Sequence, residues 1–224
     1  MGLRQIGVVR CEFPEKFGVP KQPGLVPGLR AVLEFAGEYG HETYWRGIEA
    51  CGHLWVIFGF HLNGPRDGGT VRPPVLGGQE RMGVFTTRSP HRPNPLGLSV
   101  VKVEAWSRRD GIFLLEVSGH DFVDGTPVWD VKPYVASYDL PVGEARHWSD
   151  GAGTARLSVS WEPAAHAACP AEWRTILEDL LSLDPRPRGG ARPSGPFGMT
   201  FRDHNVRFVA DGEGLRITDF ELPS

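Results

Sequence analysis

The sequence lacks several features that would assign it to a common class of protein. Only three of its 224 residues are cysteine, and no Cys-x-x-Cys pair occurs, which argues against a disulfide framework and a zinc ribbon. The most apolar run, residues 54–60, is far shorter than a membrane span, and residues 1–9 carry no apolar run of secretory-signal length. We therefore expect a cytoplasmic protein with no membrane partner, working in a reducing compartment.

Familiar cofactor and nucleophile motifs are also absent. No Gly-x-Gly-x-x-Gly follows a predicted strand, and neither a Walker loop nor a Gly-x-Ser-x-Gly elbow occurs. His53 and His61 flank the apolar run at a spacing that does not suit a metal pair, so no metal site is predicted. A functional site in this chain must therefore be built from other residues.

Glycine and proline are abundant, at 29 and 20 residues, and because both residue types interrupt helices, they leave little room for long ones. Short β-branched and aromatic runs between them predict strands, at residues 6–9, 31–35, 54–60, 84–86, 98–103, 112–117 and 128–131. Arg109-Asp110-Gly111 is typical of a hairpin turn, and residues 40–48 are ambiguous. Many short strands without intervening helices predict a mainly β fold, either an antiparallel barrel or a sandwich.

The pattern changes after about residue 163. Residues 170–183 predict a helix, since apolar residues recur there at helical spacing. Two further strands are predicted at about 199–209 and 215–222, joined at residues 211–214. We expect a β domain over 1–163 and a small α+β domain over 164–224. The second domain is too small to hold a core alone, so it should pack on the first or on a partner subunit.

The formal net charge of −3 is weak evidence against a nucleic-acid partner, but the charges are unevenly distributed. One basic stretch carries no acid: Arg81, Arg88, Arg92 and Lys102. A second contains Arg186, Arg188, Arg192, Arg202 and Arg207 against Asp203. Composition alone leaves two explanations open, an RNA-binding surface or the ordinary unevenness of a folded surface.

Two polar segments are candidates for a site. Residues 81–98 form a proline-stiffened loop whose Arg88 and Arg92 suit carboxylate or phosphate recognition. The alternative is a rigid corner with arginines in surface salt bridges. Residues 121–134 place three aspartates, a lysine and a tyrosine around a turn and the start of a strand. The alternative there is turn capping by Asp124 and solvated surface for the rest.

Residues 83–97, Gly-Val-Phe-Thr-Thr-Arg-Ser-Pro-His-Arg-Pro-Asn-Pro-Leu-Gly, resemble the signature of the TsaA-like, or TrmO, family. Further segments agree with that family in order and spacing, namely residues 16–24, 47–50 with 53–55, 70–74, 124–127 with 130–134, 184–187 and 204–207. The resemblance covers nearly the whole chain. Family members often carry tyrosine after Asp184-Pro185-Arg186-Pro187, where this chain has Arg188-Gly189-Gly190.

The resemblance implies a single-sheeted antiparallel β-barrel with a small C-terminal α+β domain, usually dimeric, that binds S-adenosylmethionine without a Rossmann fold. Bacterial members methylate N6 of threonylcarbamoyladenosine at position 37 of threonine tRNAs. By position, the resemblance implies these cofactor-binding residues: Pro20, Lys21, Gln22, Phe60, His61, Arg88, Leu98, Asp121, Phe122, Val123 and Asp124. The C-terminal domain would help to hold the anticodon loop.

Candidates for the remaining roles follow from chemistry. The N6 nitrogen loses a proton on methylation, so a nearby base is useful, and Asp124 and Asp130 are the candidates. Residues that would hold the threonyl carboxylate or the tRNA are Arg92, Lys132, Tyr134, Arg186 and Arg207. Two alternatives stay open: a methyltransferase that acts on a different acceptor, and a non-enzymatic sensor of S-adenosylmethionine.

Overall fold

The computed structural model of the chain describes residues 2–64, 68–150, 155–187 and 195–222. Arg188, Gly189 and Gly190, which stand where the family resembled in sequence often carries tyrosine, lie outside the described residues, as does Arg192.

A closed antiparallel barrel forms the first part of the fold, and it confirms the mainly β prediction. The strands before residue 134 are β1 (Gly7–Arg10), β2 (Arg30–Phe35), β3 (His53–Gly59), β4 (Thr70–Val71), β5 (Met82–Gly83), β6 (Leu96–Arg109), β7 (Ile112–Ser118) and β8 (Pro127–Pro133). The barrel order is β1-β2-β7-β6-β3-β8, and β4 pairs separately with β5. Alternate side chains of each barrel strand point inward and form a core that includes Phe35, Phe58 and Phe113.

Local chemistry explains the turns of the barrel. The β6–β7 hairpin turns at Asp110 and Gly111, whose φ angles of 51° and 77° suit the predicted Asp-Gly turn. A bulge where β3 meets β8 sets Ile57 opposite Asp130 and Phe58 opposite Val128. The alternation of inward and outward side chains along β8 therefore shifts at the bulge, so that both Val128 and Val131 contact the core.

One strand predicted in the barrel region is wrong. Val84–Thr86 forms a 3-10 turn, because the Thr86 and Thr87 hydroxyls donate to the carbonyls of Gly83 and Val84 at 2.8 and 2.9 Å. The ambiguous residues 40–48 are also helical in part, with a 3-10 turn at Gly37–Gly40 followed by the short helix α1 (Glu42–Trp45). Further 3-10 turns lie at Ile48–Ala50 and Pro74–Leu76, and a second short helix is α2 (Ala136–Asp139).

The C-terminal part is a four-stranded sheet packed against helices. Its elements are β9 (Val159–Trp161), α3 (Pro163–Ala168), α4 (Ala171–Ser182), β10 (Phe197–Phe201), β11 (His204–Asp211) and β12 (Gly214–Glu221). Helix α4 confirms the helix predicted over 170–183. The single strand predicted over 199–209 is wrong: it is the hairpin β10–β11, which turns at Arg202 and Asp203 with Arg202 at φ 57°.

This sheet has the order β10-β11-β12-β9, and β9 lies parallel to β12. Residues 159–161, which the expected boundary at 163 assigned to the first domain, therefore lie in the second sheet. The core of the C-terminal part includes Phe13, Val26 and Leu29 from the segment between β1 and β2. The small sheet thus packs on the barrel of its own chain through this segment. Among the described residues, no helix is long and apolar enough to cross a bilayer.

Gly97 offers a test of the barrel packing. A Cβ atom at this position would overlap the ring of Phe58, which is itself buried. We expect Gly97→Ala to lower the free energy of unfolding by about 1–3 kcal/mol, the usual cost of overpacking. Chemical denaturation measures this change. The matched control is Gly83→Ala, since the nearest atom to a Cβ there lies 3.8 Å away, and it should unfold close to the original protein. Equal effects of the two changes would contradict this packing.

Candidate functional site

Three loops meet at one end of the barrel and bring predicted cofactor residues together. The segment after β1 carries Gln22, the loop between β5 and β6 carries Arg88, and the loop between β7 and β8 carries Asp121. Arg88 Nη1 donates a hydrogen bond to Gln22 Oε1 and also attracts the Asp121 carboxylate. Residues separated by long stretches of sequence thus form one polar cluster.

Asp121 is the buried carboxylate of this cluster. Ser99 of β6 lies on the inward face of its strand and donates from Oγ to Asp121 Oδ1 at 2.6 Å. Burial raises the pKa of Asp121 above its usual value, and the Ser99 hydrogen bond and the charge of Arg88 only partly oppose this. A buried carboxylate and a guanidinium whose charge acts on it offer two opposite charges to one zwitterionic ligand.

The rest of the same loop is held by hydrogen bonds to its own backbone and to neighbouring segments. Asp124 Oδ1 accepts from the Cys11 amide at 3.0 Å, and its Oδ2 lies 3.9 Å from Arg10 Nη1. The Thr126 hydroxyl donates to the Val123 carbonyl at 2.7 Å and lies 3.5 Å from His61 Nδ1. Predicted residues of two loops, His61 and residues 123–124, are therefore neighbours here.

The other predicted cofactor residues have varied surroundings. Phe122 is buried against the edge of Phe58 at 5.0 Å, and the Phe60 ring packs on the same residue at 5.2 Å. Pro20 is buried, and the carbonyl of the exposed Lys21 accepts from Gln22 Nε2 at 2.6 Å. Leu98 is different: because Ser99 faces into the barrel, its neighbour Leu98 faces outward and is 47% exposed. Within a single chain, Leu98 therefore lies on the face of β6 opposite to the face that contacts Asp121.

The predicted base Asp130 and two predicted substrate residues lie on the outer face of the barrel. Val131 contacts the core, so Asp130 points outward, where its Oδ2 lies 3.7 Å from Lys132 Nζ. The Tyr134 ring packs against Trp55 at 5.8 Å. The contacts of the described residues do not join any of these three to the Asp121–Asp124 loop.

The predicted tRNA-contacting arginines also differ in their surroundings. Arg92 braces its own loop, with Nη1 donating to the carbonyls of Thr87 and Ser89 at 3.1 and 3.4 Å. Arg186 is 9% exposed, and its guanidinium donates two hydrogen bonds, of 2.7 and 3.2 Å, to the Asp184 carboxylate. Arg207 is 54% exposed and pairs with Glu221 at 2.8 Å. Arg207 is therefore open to a large partner, whereas Arg186 lies mostly inside the C-terminal part.

Three polar residues of the site region were missed from the sequence: Ser99, Glu12 and His120. Gly97, Ser99 and Val101 occupy alternate positions of β6 that face the core. This alternation could have identified Ser99, because a hydroxyl on a core-facing position needs a hydrogen-bond partner. No local pattern pointed to Glu12 or His120, which lie far apart in sequence but form a buried pair at 3.1 Å.

Cys11, Glu12 and His120 cluster closely enough to suggest a metal site, since their ligand atoms lie within 4.8 Å of one another. The hydrogen bonds argue otherwise. His120 Nδ1 accepts from the Phe122 amide at 3.2 Å, so the ring proton of the neutral form is on Nε2 and points to Glu12. Metal binding through Nε2 would need that proton on Nδ1. Burial also raises the pKa of the Cys11 thiol to about 12. This cluster is a hydrogen-bonded pair beside a protonated thiol.

Comparison with known proteins agrees with the fold and the loops described above. The profile of the tRNA-methyltransferase O N-terminal domain matches residues 8–140. The chain is 36% identical to the tRNA (adenine(37)-N6)-methyltransferase of Escherichia coli K12 over an alignment of 231 positions, which covers 98% of this chain and 97% of that protein. It is 38% identical over 214 residues to a putative S-adenosylmethionine-dependent methyltransferase, RcsF, of Pseudomonas aeruginosa, covering 91% and 90% of the two chains.

A solved structure extends the agreement to three dimensions. The crystal structure of TrmO from Pseudomonas aeruginosa superposes with a TM-score of 0.79 at 31% identity, covering 100% of this chain and 97% of that one. The sequence match, the barrel and the C-terminal sheet all point the same way, and this chain belongs to the tRNA-methyltransferase O family.

Proposed function

We propose that this protein transfers a methyl group from S-adenosylmethionine to N6 of threonylcarbamoyladenosine at position 37, in the anticodon loop of a threonine-type tRNA. Two relatives support the proposal, one named for methylation of adenine 37 in tRNA and one for dependence on S-adenosylmethionine. The observation that carries it is the convergence of Gln22, Arg88 and Asp121 from three separate loops.

These residues fit the chemistry of the cofactor. The amino-acid end of S-adenosylmethionine carries a carboxylate and an ammonium, which Arg88 and Asp121 would hold respectively. The neighbouring predicted residues, Pro20, Lys21, Gln22, Phe60, His61, Phe122, Val123 and Asp124, would complete the site. When bound, the cofactor supplies an electrophilic methyl group. Burial of Asp121 keeps water away from this end of the site, which strengthens the attraction between charges.

We assign proton acceptance to Asp124. Of the two predicted bases, Asp124 lies in the same loop as Asp121, whereas Asp130 faces the outer surface beside Lys132. The Cys11 amide holds Asp124 Oδ1 at 3.0 Å and orients the carboxylate, and Oδ2 would accept the proton that leaves N6. The residues proposed for the substrate remain Arg92, Lys132, Tyr134, Arg186 and Arg207, of which Arg207 is the most open to RNA.

Methyl transfer from labelled S-adenosylmethionine to tRNA tests the function directly. One tRNA sample carries threonylcarbamoyladenosine, and the control lacks that modification. We expect label only in the modified tRNA. If the protein binds the cofactor and labels neither sample, the tRNA assignment fails. Transfer to another acceptor would then favour a different methyltransferase, and binding without any transfer would favour a sensor.

The Ser99–Asp121 hydrogen bond predicts a pH dependence of cofactor affinity. Asp121 must be ionised to hold an ammonium, and the Ser99 hydroxyl stabilises that ionised form. Ser99→Ala removes the hydrogen bond and raises the pKa of Asp121 further, so affinity should be lost at a higher pH as the solution is acidified. Calorimetric titration across a pH series measures the shift. Ser107→Ala, on an exposed position of the same strand, is the control, and an unshifted profile for Ser99→Ala would contradict the assignment.

We further propose that the protein is a homodimer that works in the cytoplasm. Partly exposed apolar side chains line the outer face of β3 and β6, at Trp55, Ile57, Leu98 and Val100. A patch of this kind suits a second copy of the chain. Sedimentation analysis should give a dimer that Ile57→Lys dissociates. The three cysteines are free thiols, which suits a reducing compartment.

We also propose two domains, with the C-terminal one contacting the tRNA. The exposure of Arg202 and Arg207 on the hairpin β10–β11 supports this role, because exposed arginines are suited to phosphate contact.

A further inference from the structure

The loop between β7 and β8 carries Asp121 and Asp124 but belongs to no strand, so its shape depends on other contacts. Several hydrogen bonds tie it to β1 and to the segment just after β1. The Asp124 amide donates to the Phe13 carbonyl at 2.7 Å, and the Gly125 amide donates to the Val9 carbonyl at 2.9 Å. The Cys11 thiol donates to the Phe122 carbonyl at 3.4 Å. The site loop is thus fastened to one neighbouring segment.

At the centre of this junction lies the Glu12–His120 pair. The side chains of Glu12 and His120 are 4% and 0% exposed. The ring of His120 stacks on Phe122, which belongs to the barrel core, and contacts Phe13, which belongs to the core of the C-terminal part. The pair therefore lies where the two cores meet, directly beside the site loop.

Each ring nitrogen of His120 makes a different bond. Nδ1 accepts from the Phe122 amide at 3.2 Å, within the site loop itself. Nε2 donates to Glu12 Oε2 at 3.1 Å, outside the loop. The Glu12 carboxylate also accepts from the Arg30 amide at 3.3 Å. Burial by itself would raise the pKa of Glu12, but these hydrogen bonds outweigh it and the pKa lies below its usual value.

We infer that Glu12 and His120 are positioning residues that hold residues 121–124 in the shape required to bind S-adenosylmethionine. The inference rests on the proposed function of this site. Neither side chain needs to touch the cofactor: His120 fixes the Phe122 amide, and Glu12 fixes the orientation of the His120 ring. Residues on either side of Phe122, Asp121 and Val123, then keep their places at the site. A buried pair of this kind orients its neighbours in the same way as side chains that hydrogen-bond to the ligands of a metal orient those ligands.

Two isosteric substitutions of His120 separate positioning from general stability. Asparagine places an oxygen where Nδ1 was, so His120→Asn keeps an acceptor for the Phe122 amide and loses the donor to Glu12. Glutamine places its amide nitrogen where Nε2 was, so His120→Gln keeps the donor to Glu12 and loses the acceptor for Phe122. The two variants therefore each break one of the two bonds.

The measurements are the cofactor dissociation constant by calorimetry and the melting temperature of the whole chain. For His120→Gln we expect the dissociation constant to rise about tenfold with a small change in melting temperature. For His120→Asn we expect the larger fall in melting temperature, because Glu12 stays charged and loses its donor, with the dissociation constant changing about threefold or less. Affinity and melting temperature would then vary independently.

Other outcomes are equally informative. If affinity simply follows melting temperature in both variants, the pair is structural only and the inference is wrong. If either variant does not fold, Glu12→Gln, which keeps an acceptor for the His120 proton, replaces it: a small fall in affinity in a stable protein supports positioning, and unchanged affinity contradicts it. If the unmodified protein itself binds no S-adenosylmethionine, the proposed function fails, and this result is distinct from failure of the positioning role.

Discussion

Replacing Arg186 by alanine is expected to lower the free energy of unfolding by about 1–3 kcal/mol, the usual cost of removing one partner from a buried hydrogen-bonded pair. The side chains of Arg186 and Asp184 are only 9% and 5% exposed, and two hydrogen bonds of 2.7 and 3.2 Å join them. The truncation leaves the Asp184 carboxylate buried without this bidentate partner. Thermal or chemical denaturation measures the loss, and tRNA methylation should fall with the folded fraction.

The same substitution separates two roles of arginine in the C-terminal part. Arg207→Ala is the matched control, because its guanidinium is 54% exposed and pairs with the half-exposed Glu221. Exposed pairs contribute about 0–1 kcal/mol, so Arg207→Ala should barely change stability and should weaken tRNA binding instead. If Arg186→Ala leaves stability unchanged and weakens only tRNA binding, the buried pair is not the main role of Arg186.

A double variant checks the cause of the destabilisation. Asp184→Asn with Arg186→Met removes both charges, and asparagine tolerates the positive φ of 55° at position 184. Removing both partners of a buried ion pair costs less than removing one, so the double variant should be more stable than Arg186→Ala alone. If the double variant is less stable than the single one, the loss arises from something other than the broken Arg186–Asp184 pair.

The barrel could be predicted where local chemistry and tertiary packing agree. The Asp110-Gly111 turn was recognisable because both residue types adopt positive φ readily, and because it lies between two runs rich in β-branched and apolar residues. The hairpin at Arg202-Asp203 was missed because neither residue is glycine or asparagine, although Arg202 has φ 57°. Val84–Thr86 has the composition of a strand, but its threonine hydroxyls bind nearby carbonyls and favour a turn.

The site could be predicted only in part. Gln22, Arg88 and Asp121 emerged from the family resemblance, since contacts between residues this distant in sequence leave no local pattern. The burial of Arg186 was hidden for the same reason, because a basic stretch looks alike whether its arginines face water or a carboxylate. Asp130 belongs to the aspartate-bearing segment 121–134, but the bulge opposite Ile57 determines which face it occupies.

Asparagine substitutions at Asp121, Asp124 and Asp130 should separate cofactor binding from the chemical step. Asn keeps an oxygen that accepts from Ser99 at position 121 and from the Cys11 amide at position 124, so both variants should fold. Asp121→Asn removes the charge that would hold the cofactor ammonium, and we expect the cofactor dissociation constant to rise about 10- to 100-fold. Calorimetry measures this constant without tRNA.

Asp124→Asn should act on the chemical step instead. A positioned general base contributes about 10²–10⁴-fold in rate, so kcat at saturating cofactor should fall by about 10²-fold or more, a larger change than the one in cofactor affinity. Asp130→Asn is the matched control on the outer face, where its exposed pairing with Lys132 contributes little, and both constants should stay within about twofold.

Single-turnover transfer at saturating cofactor distinguishes the possible assignments. A slow step in Asp124→Asn that a higher pH does not restore fits the loss of a base, because an amide has no titratable proton acceptor to recover. If Asp130→Asn is the slow variant and Asp124→Asn is normal, the base belongs to the outer face. A second copy of the chain would then have to complete the site there, across the patch of Trp55, Ile57, Leu98 and Val100.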